Sequence, residues 1–198
     1  MPNWCSTTMT VMGPKKELCK FRDFAQTNET PYGKKEENVL STDKFIPYPE
    51  RFLKLDLKPQ TKKTKDSDGR FKTVEDKDGY NSGGYDWCSK NWGTKWGICH
   101  AQLQVDVNEK RSKFDDNEKA EGKPQLVYTF DTAWSPGTPI LVKMSKMFPK
   151  LSFKVFTEEE SRAFVFEEEF KVGKEVSFQD FDPDDFYQEQ DAERKADN

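Results

Sequence analysis

The chain has 198 residues, 34% of them charged and 33% apolar, with a net charge of −4. That length holds one domain with decorations or at most two small ones, and 16 Phe among 14% aromatics exclude wholesale disorder. No apolar run approaches the ~18 residues of a membrane span.

Charge is unevenly placed. Residues 158–198 hold 15 acidic and 5 basic residues, so the preceding chain is mildly basic. This predicts an acidic tail on a basic body. The four cysteines (Cys5, Cys19, Cys88, Cys99) form no CxxC pair, and residues 1–10 carry no leader-like apolar run. The expectation is a cytoplasmic protein with reduced thiols.

In chain order, Trp4 to Met12 alternates, with Cys5, Thr7, Met9 and Val11 on one side, which predicts a strand. Pro14 suits the opening of a helix over Lys15 to Gln26, with Leu18, Phe21 and Ala25 at helical spacing. Thr27 to Lys44 reads as polar and turn-rich. Phe45 to Leu57 is broken by Pro47 and Pro49 and is expected to be extended, with one short turn. Lys58 to Gly79 mixes Lys with Asp and Glu at low hydrophobicity and reads as a flexible charged insertion.

Gly84 to Gly97 places Trp87, Trp92 and Trp96 within ten positions at spacings that match neither a helix face nor a strand face. We read it as an irregular packed segment. Trp87, Trp92 and Trp96 are expected to be interior scaffolding, with a ligand-stacking platform as the alternative, and Trp4 and Trp134 join them as structural-motif residues.

From Ile98 to Val107 the alternation returns: Cys99, Ala101, Leu103, Val105 and Val107 face the core, and His100, Gln102, Gln104 and Asp106 face water. A charged loop, Asn108 to Lys123, leads to a strand over Gln125 to Trp134. Thr138 and Pro139 open a second helix carrying Ile140, Leu141, Met144, Met147 and Phe148, and Pro149 ends it. Leu151 to Phe156 is a strand, and Ala163 to Phe170 with Glu175 to Phe178 form a hairpin about Val172 to Lys174. The carboxylate runs Glu158–Glu160 and Glu167–Glu169 read as a solvated strand edge. From Gln179 onward the chain reads as a frayed acidic tail on which Phe181, Phe186 and Tyr187 could dock.

This order is the split βαβ pattern of an α+β, ferredoxin-like fold: an antiparallel sheet with two helices on one face, a long charged insertion and an extra C-terminal hairpin. The domain is placed at 1–178 and the tail at 179–198.

The start MPNWCSTTMTVMGP, the segment Trp87 with Asn91 to Trp96, the run FDTAWSP (Phe130 to Pro136) and FPKLSF (Phe148 to Phe153) resemble the YubB-type ferredoxin-like family of small phage- and plasmid-encoded proteins, with a looser match at Phe45 to Pro49. The resemblance implies this fold and a mobile-element origin, and it implies no catalytic residues.

The residues themselves offer little chemistry. His100 is the single histidine, so there is no two-histidine metal site and no proton shuttle beyond this one residue. A nucleophilic pair could come only from Cys5 or Cys88 with His100, because Cys99 and His100 point to opposite faces. Cys5, Cys88, Cys99 and His100 lack the close pairs of a zinc site, and no phosphate-binding glycine motif is present. The expectation is a non-enzymatic protein with no metal and no cofactor. It is expected to bind a bacterial host protein, as a counter-defence inhibitor of the anti-CRISPR kind. Asp180, Asp182, Asp184, Asp185, Phe186 and Tyr187 of the tail are the candidate contact residues. The alternative is a nucleic-acid-binding module, although the wet face of the Ile98 strand offers no aromatic to stack a base.

Overall fold

The computed structural model describes residues 2–30, 33–57, 61–65, 67–75, 78–107 and 124–188. Strand β1 (Trp4–Met12) buries Cys5, Thr7, Met9 and Val11 and leaves Ser6 and Thr8 in water, as period-two alternation requires. Pro14, at φ −62°, launches α1 (Lys15–Ala25), which buries Leu18, Phe21 and Ala25. A long insertion follows. The chain then resumes with β6 (Cys99–Val105), β7 (Gln125–Ala133), α5 (Thr138–Met147) and β8 (Ser152–Glu159), and ends with the hairpin β9 (Val165–Lys171) and β10 (Lys174–Phe181).

The six-stranded sheet runs β10-β9-β8-β1-β7-β6, and every neighbouring pair is antiparallel. Its β8-β1-β7-β6 portion is the ferredoxin-like order, with β1 central. Phe21, Tyr128, Phe153 and Phe170 are fully buried with Leu18, Ile140, Leu141 and Met144 of the two helices. The other sheet face is polar over β1, β6 and β7, and over β8 Phe156 is covered by Phe186.

Several expectations change in the insertion. Thr27 to Lys44 contains a small hairpin, β2 (Thr27–Glu29) with β3 (Lys35–Asn38), and the helical turn α2 (Thr42–Phe45). Phe45 to Leu57 is mostly helical rather than extended. Pro49 stands at the N-cap instead of breaking the helix, and the good helix formers behind it make α3 (Glu50–Asp56), which buries Phe52. The segment 58–79 holds the hairpin β4 (Thr61–Lys65) with β5 (Phe71–Glu75). The Trp-rich stretch is not wholly irregular: Tyr85–Asn91 is helix α4, with Cys88 turned inward.

The C-terminal region changes too. Strand β10 continues to Phe181, so a boundary at 178 would cut a strand, and 183–188 is a helical turn. Residues 189–198 of the predicted tail lie outside the described residues. Strands β8 and β9 are interior to the sheet, so Glu159 and Glu168 are buried rather than solvated. The β9–β10 turn is Val172-Gly173, both at positive φ (+52° and +75°). Two-residue hairpin turns with that twist favour Asn-Gly, and a β-branched residue is strained there. Val172→Asn is expected to stabilise the protein by about 1 kcal/mol in thermal melts. A lowered Tm would rule out the strain.

Candidate functional site

The segment after α4 is held by specific contacts rather than by regular structure. The Trp92 indole N–H donates to the Ile46 carbonyl at 2.8 Å, the Thr94 hydroxyl donates to the Ala133 carbonyl at 2.8 Å, and the Ile98 N–H donates to the Thr42 hydroxyl at 2.8 Å. Two glycines let it pass close to its neighbours. Gly93 (φ +72°) lies where a Cβ would sit 2.4 Å from Pro139 Cδ, and Gly97 (φ +75°) where it would sit 2.8 Å from Thr42 Oγ1.

These anchors split the tryptophans. Trp87 and Trp92 pack edge-to-face, with ring centroids 5.3 Å apart, and join the core; Trp92 also lies 5.7 Å from Tyr48. Trp96 and Trp134 do not. They are 42% and 53% exposed, and Tyr85 is 48% exposed. The expectation of interior scaffolding therefore holds for Trp87 and Trp92 and fails for Trp96, and Trp134 is exposed rather than buried with Leu126, Tyr128 and Phe130. The reason at Trp134 is local: its φ of +72° at the end of β7 turns the chain, and its N–H is tied to the Asn3 carbonyl at 2.9 Å. Trp4 is half-buried, 6.1 Å from Trp96 and 5.2 Å from the His100 ring.

Two adjoining hollows result. One, about 370 Å³, is lined by Tyr48, Tyr80, Trp92, Trp96, Asp43 and Lys95 together with Lys34, Glu36, Thr30 and Cys88. The other, about 500 Å³, is lined by Tyr80, Asn81, Gly83, Tyr85, Asp86, Lys95 and Trp134. Tyr80 and Lys95 belong to both. Lys95 Nζ stands 4.5 Å over the Trp96 ring, a cation–π contact. Burial pushes the Tyr80 hydroxyl up to about 12, partly offset by the nearby Trp96 N–H. Burial also raises the Asp43 carboxyl, against the 2.8 Å hydrogen bond it accepts from the Tyr48 N–H.

Nucleophilic chemistry finds little support here. Burial raises the Cys5 and Cys88 thiols to about 12, with Glu159 and Asp43 respectively adding to the effect. A thiol so shifted is protonated and unreactive at neutral pH. Cys99 is raised as well, by burial and Asp131. His100, 64% exposed at a bulge in β6, instead pairs its Nδ1 with Asp131 Oδ2 at 2.9 Å. No group of His, Cys, Asp or Glu that could hold a metal occurs among the described residues. No helix among them is long and apolar enough to cross a membrane.

The tail residues do not form one outward patch. Phe186 packs on Phe156 of the open sheet face at 5.7 Å and on Phe181 at 5.8 Å. The Tyr187 hydroxyl donates to Glu158 Oε2 at 3.0 Å, and its ring lies 4.2 Å beneath the Arg162 guanidinium. Asp182 caps the helical turn, accepting the Asp184 N–H at 2.9 Å. Asp180, Asp184 and Asp185 are exposed. Sequence reasoning missed Tyr48, Asp43, Tyr80, Tyr85 and Lys95. The one signal for them was the density of rings between Tyr80 and Trp96.

Comparison with known proteins agrees with the topology. Residues 111–197 match the family described as a ferredoxin-like domain in Api92-like protein. Among solved structures, protein api92 from Yersinia pseudotuberculosis is similar over 91% of this chain and 98% of that one, at 9% identity and a TM-score of 0.51. No curated protein matches the chain. The chain is thus an α+β protein carrying a ferredoxin-like domain, similar over its C-terminal part to that of Api92-like proteins.

Proposed function

We propose that this is a non-enzymatic accessory protein of a phage or plasmid, working in the bacterial cytoplasm by binding a host protein, with inhibition of a host defence factor as its effect. The observation that carries the reading is the exposure of Trp96, Trp134 and Tyr85 along two adjoining hollows. Large aromatics half in water are the residues most enriched at binding hot spots, and exposed apolar groups rimmed by polar ones mark interaction sites. The mobile-element origin rests on the motif resemblance. The bacterial setting draws support from the Yersinia structure of the same fold.

Nucleic acid is the weaker reading. The open sheet face presents Ser6, Thr8, Gln102, Gln104 and Thr129 where base-stacking modules carry rings. The hollows also mix Lys34 and Lys95 with Glu36, Asp43 and Asp86, a poor match to phosphate.

Trp134→Gly separates function from folding. Glycine accepts φ +72° freely, so the variant is expected to melt within ~1 kcal/mol of the parent. Partner capture from bacterial lysate is expected to fall at least tenfold, the loss of one hot-spot aromatic. Equal capture by parent and variant would overturn the reading. Filter binding at two salt concentrations distinguishes the nucleic-acid alternative, because phosphate contacts give a steep salt slope.

A further inference from the structure

The lining of the hollow of about 370 Å³ combines aromatic rings with a carboxylate. Tyr48, Tyr80, Trp92 and Trp96 supply the rings, with those of Tyr48 and Trp92 5.7 Å apart. Aromatic faces carry negative potential and attract cations. One ring already does so, since Lys95 Nζ rests 4.5 Å from the Trp96 ring centre. Asp43 lines the same space, half-buried, with one oxygen taken by the Tyr48 N–H. Among the described residues, no lysine, arginine or histidine lies within ion-pair distance of Asp43. A half-buried carboxylate beside aromatic rings, with no ion-pair partner among the described residues, favours a cation within hydrogen-bond reach.

We propose that this hollow receives a long cationic side chain, an arginine, presented by the bound partner. The inference rests on the reading of this face as a binding surface and adds the chemistry of what enters it. The volume suits one extended side chain and excludes a folded element. The guanidinium stacks on Trp96 and donates to Asp43, while its methylene stem lies along Tyr48 and Tyr80. Lys95 occupies the Trp96 face in the absence of partner. Its flexible stem, half-exposed, swings out when the guanidinium arrives. An anionic ligand would instead need Lys34 and Lys95 as partners and would meet Asp43 and Glu36 on the way.

The test uses the full-length protein and two small probes followed by tryptophan fluorescence: N-acetyl-arginine amide and its neutral near-isostere N-acetyl-citrulline amide. Arginine is expected to bind roughly tenfold more tightly than citrulline. Asp43→Asn, which keeps an acceptor for the Tyr48 N–H, is expected to abolish that preference. Lys95→Ala is expected to strengthen arginine binding severalfold by clearing the Trp96 face. Equal binding of both probes overturns the assignment. So does weaker arginine binding in Lys95→Ala, because removing a competing cation from the Trp96 face cannot weaken a guanidinium that stacks there, and this surface variant decides the matter even if Asp43→Asn fails to fold. If Trp134→Gly still loses its partner while arginine shows no preference, only the cation assignment falls. If arginine is preferred but Trp134→Gly captures normally, the partner reading falls and a small-cation site stands.

Discussion

Phe21→Ala is expected to cost the protein about 4 kcal/mol, measured by urea unfolding of the full chain. Phe21 projects from α1 into the centre of the sheet and is fully buried. Its ring lies 5.1 Å from Phe148, 5.3 Å from Phe153, 5.8 Å from Phe45 and 6.0 Å from Tyr128; the contacts with Phe148, Phe153 and Tyr128 are edge-to-face. Truncation removes the transfer energy of the ring and leaves a cavity whose walls come from four separate elements or loops, which cannot all collapse inward together. It also removes aromatic pairings worth about 0.5–1.5 kcal/mol each beyond burial. Domains of this size are stable by only about 5–15 kcal/mol, so the variant would stand near its threshold. Phe21→Leu keeps most of the volume and is expected to cost under about 2 kcal/mol. A Phe21→Ala penalty below about 1.5 kcal/mol would show that the ring is not the hub of the core.

Glu168→Gln is expected to stabilise the protein at pH 8 and leave it unchanged near pH 4.5. Glu168 sits mid-strand in β9, opposite Val155 on β8 and Phe178 on β10, and is 5% exposed. Its Oε2 makes no hydrogen bond among the described residues. Burial, aided by Glu175, pushes its pKa from the ordinary 4.5 to about 7. A carboxyl raised by folding favours the protonated chain, so its contribution is fully present below pH 4.5 and is lost as pH rises through 7. At about 1.4 kcal/mol per pKa unit, the wild type gives up about 3–4 kcal/mol over that window. The amide carries no charge, so the variant's curve is expected to lack this loss, and the difference between the two curves is expected to grow with pH across the window. Parallel pH–stability curves for the two proteins would show that Glu168 has a counter-charge and does not titrate in this way.

The fold was readable where a local rule coincided with the global one. In β1, alternation alone identifies Cys5, Thr7, Met9 and Val11 as the buried set. In α1 and α5 a single apolar stripe faces the sheet, so periodicity and packing agree. The rest depended on what lies opposite. Pro49 is equally consistent with a break or a helix start, and only the packing of Phe52 decides it. Helix α4 is seven residues long with Cys88 as its one buried side chain, too short to show a period. Glu168 looks wet in sequence because nothing local reveals that β10 and α5 will flank it.

The candidate site was less readable still. Counting tryptophans located the region, but the sorting of Trp92 inward and Trp134 outward follows from a hydrogen bond to the Ile46 carbonyl and a left-handed backbone angle. Neither leaves a mark in composition or spacing. In the tail, Phe186 is apolar enough to dock and packs on Phe156. Its acidic neighbours gave no hint that Asp182 would be spent capping a turn.

The central position of β1 has a consequence during synthesis. Its partners are β7 and β8, with Cys5 in register against Thr132 on one side and Glu159 on the other. β1 is therefore made before either of its partners: Met9 and Val11 must wait for about 140 further residues of nascent chain before both flanks close. Pairings so distant in sequence form slowly and leave apolar strand surface open to misassociation. A translating ribosome stalled short of β8 would thus hold an aggregation-prone stub, one that chaperones should recognise through the same residues that later become the middle of the sheet.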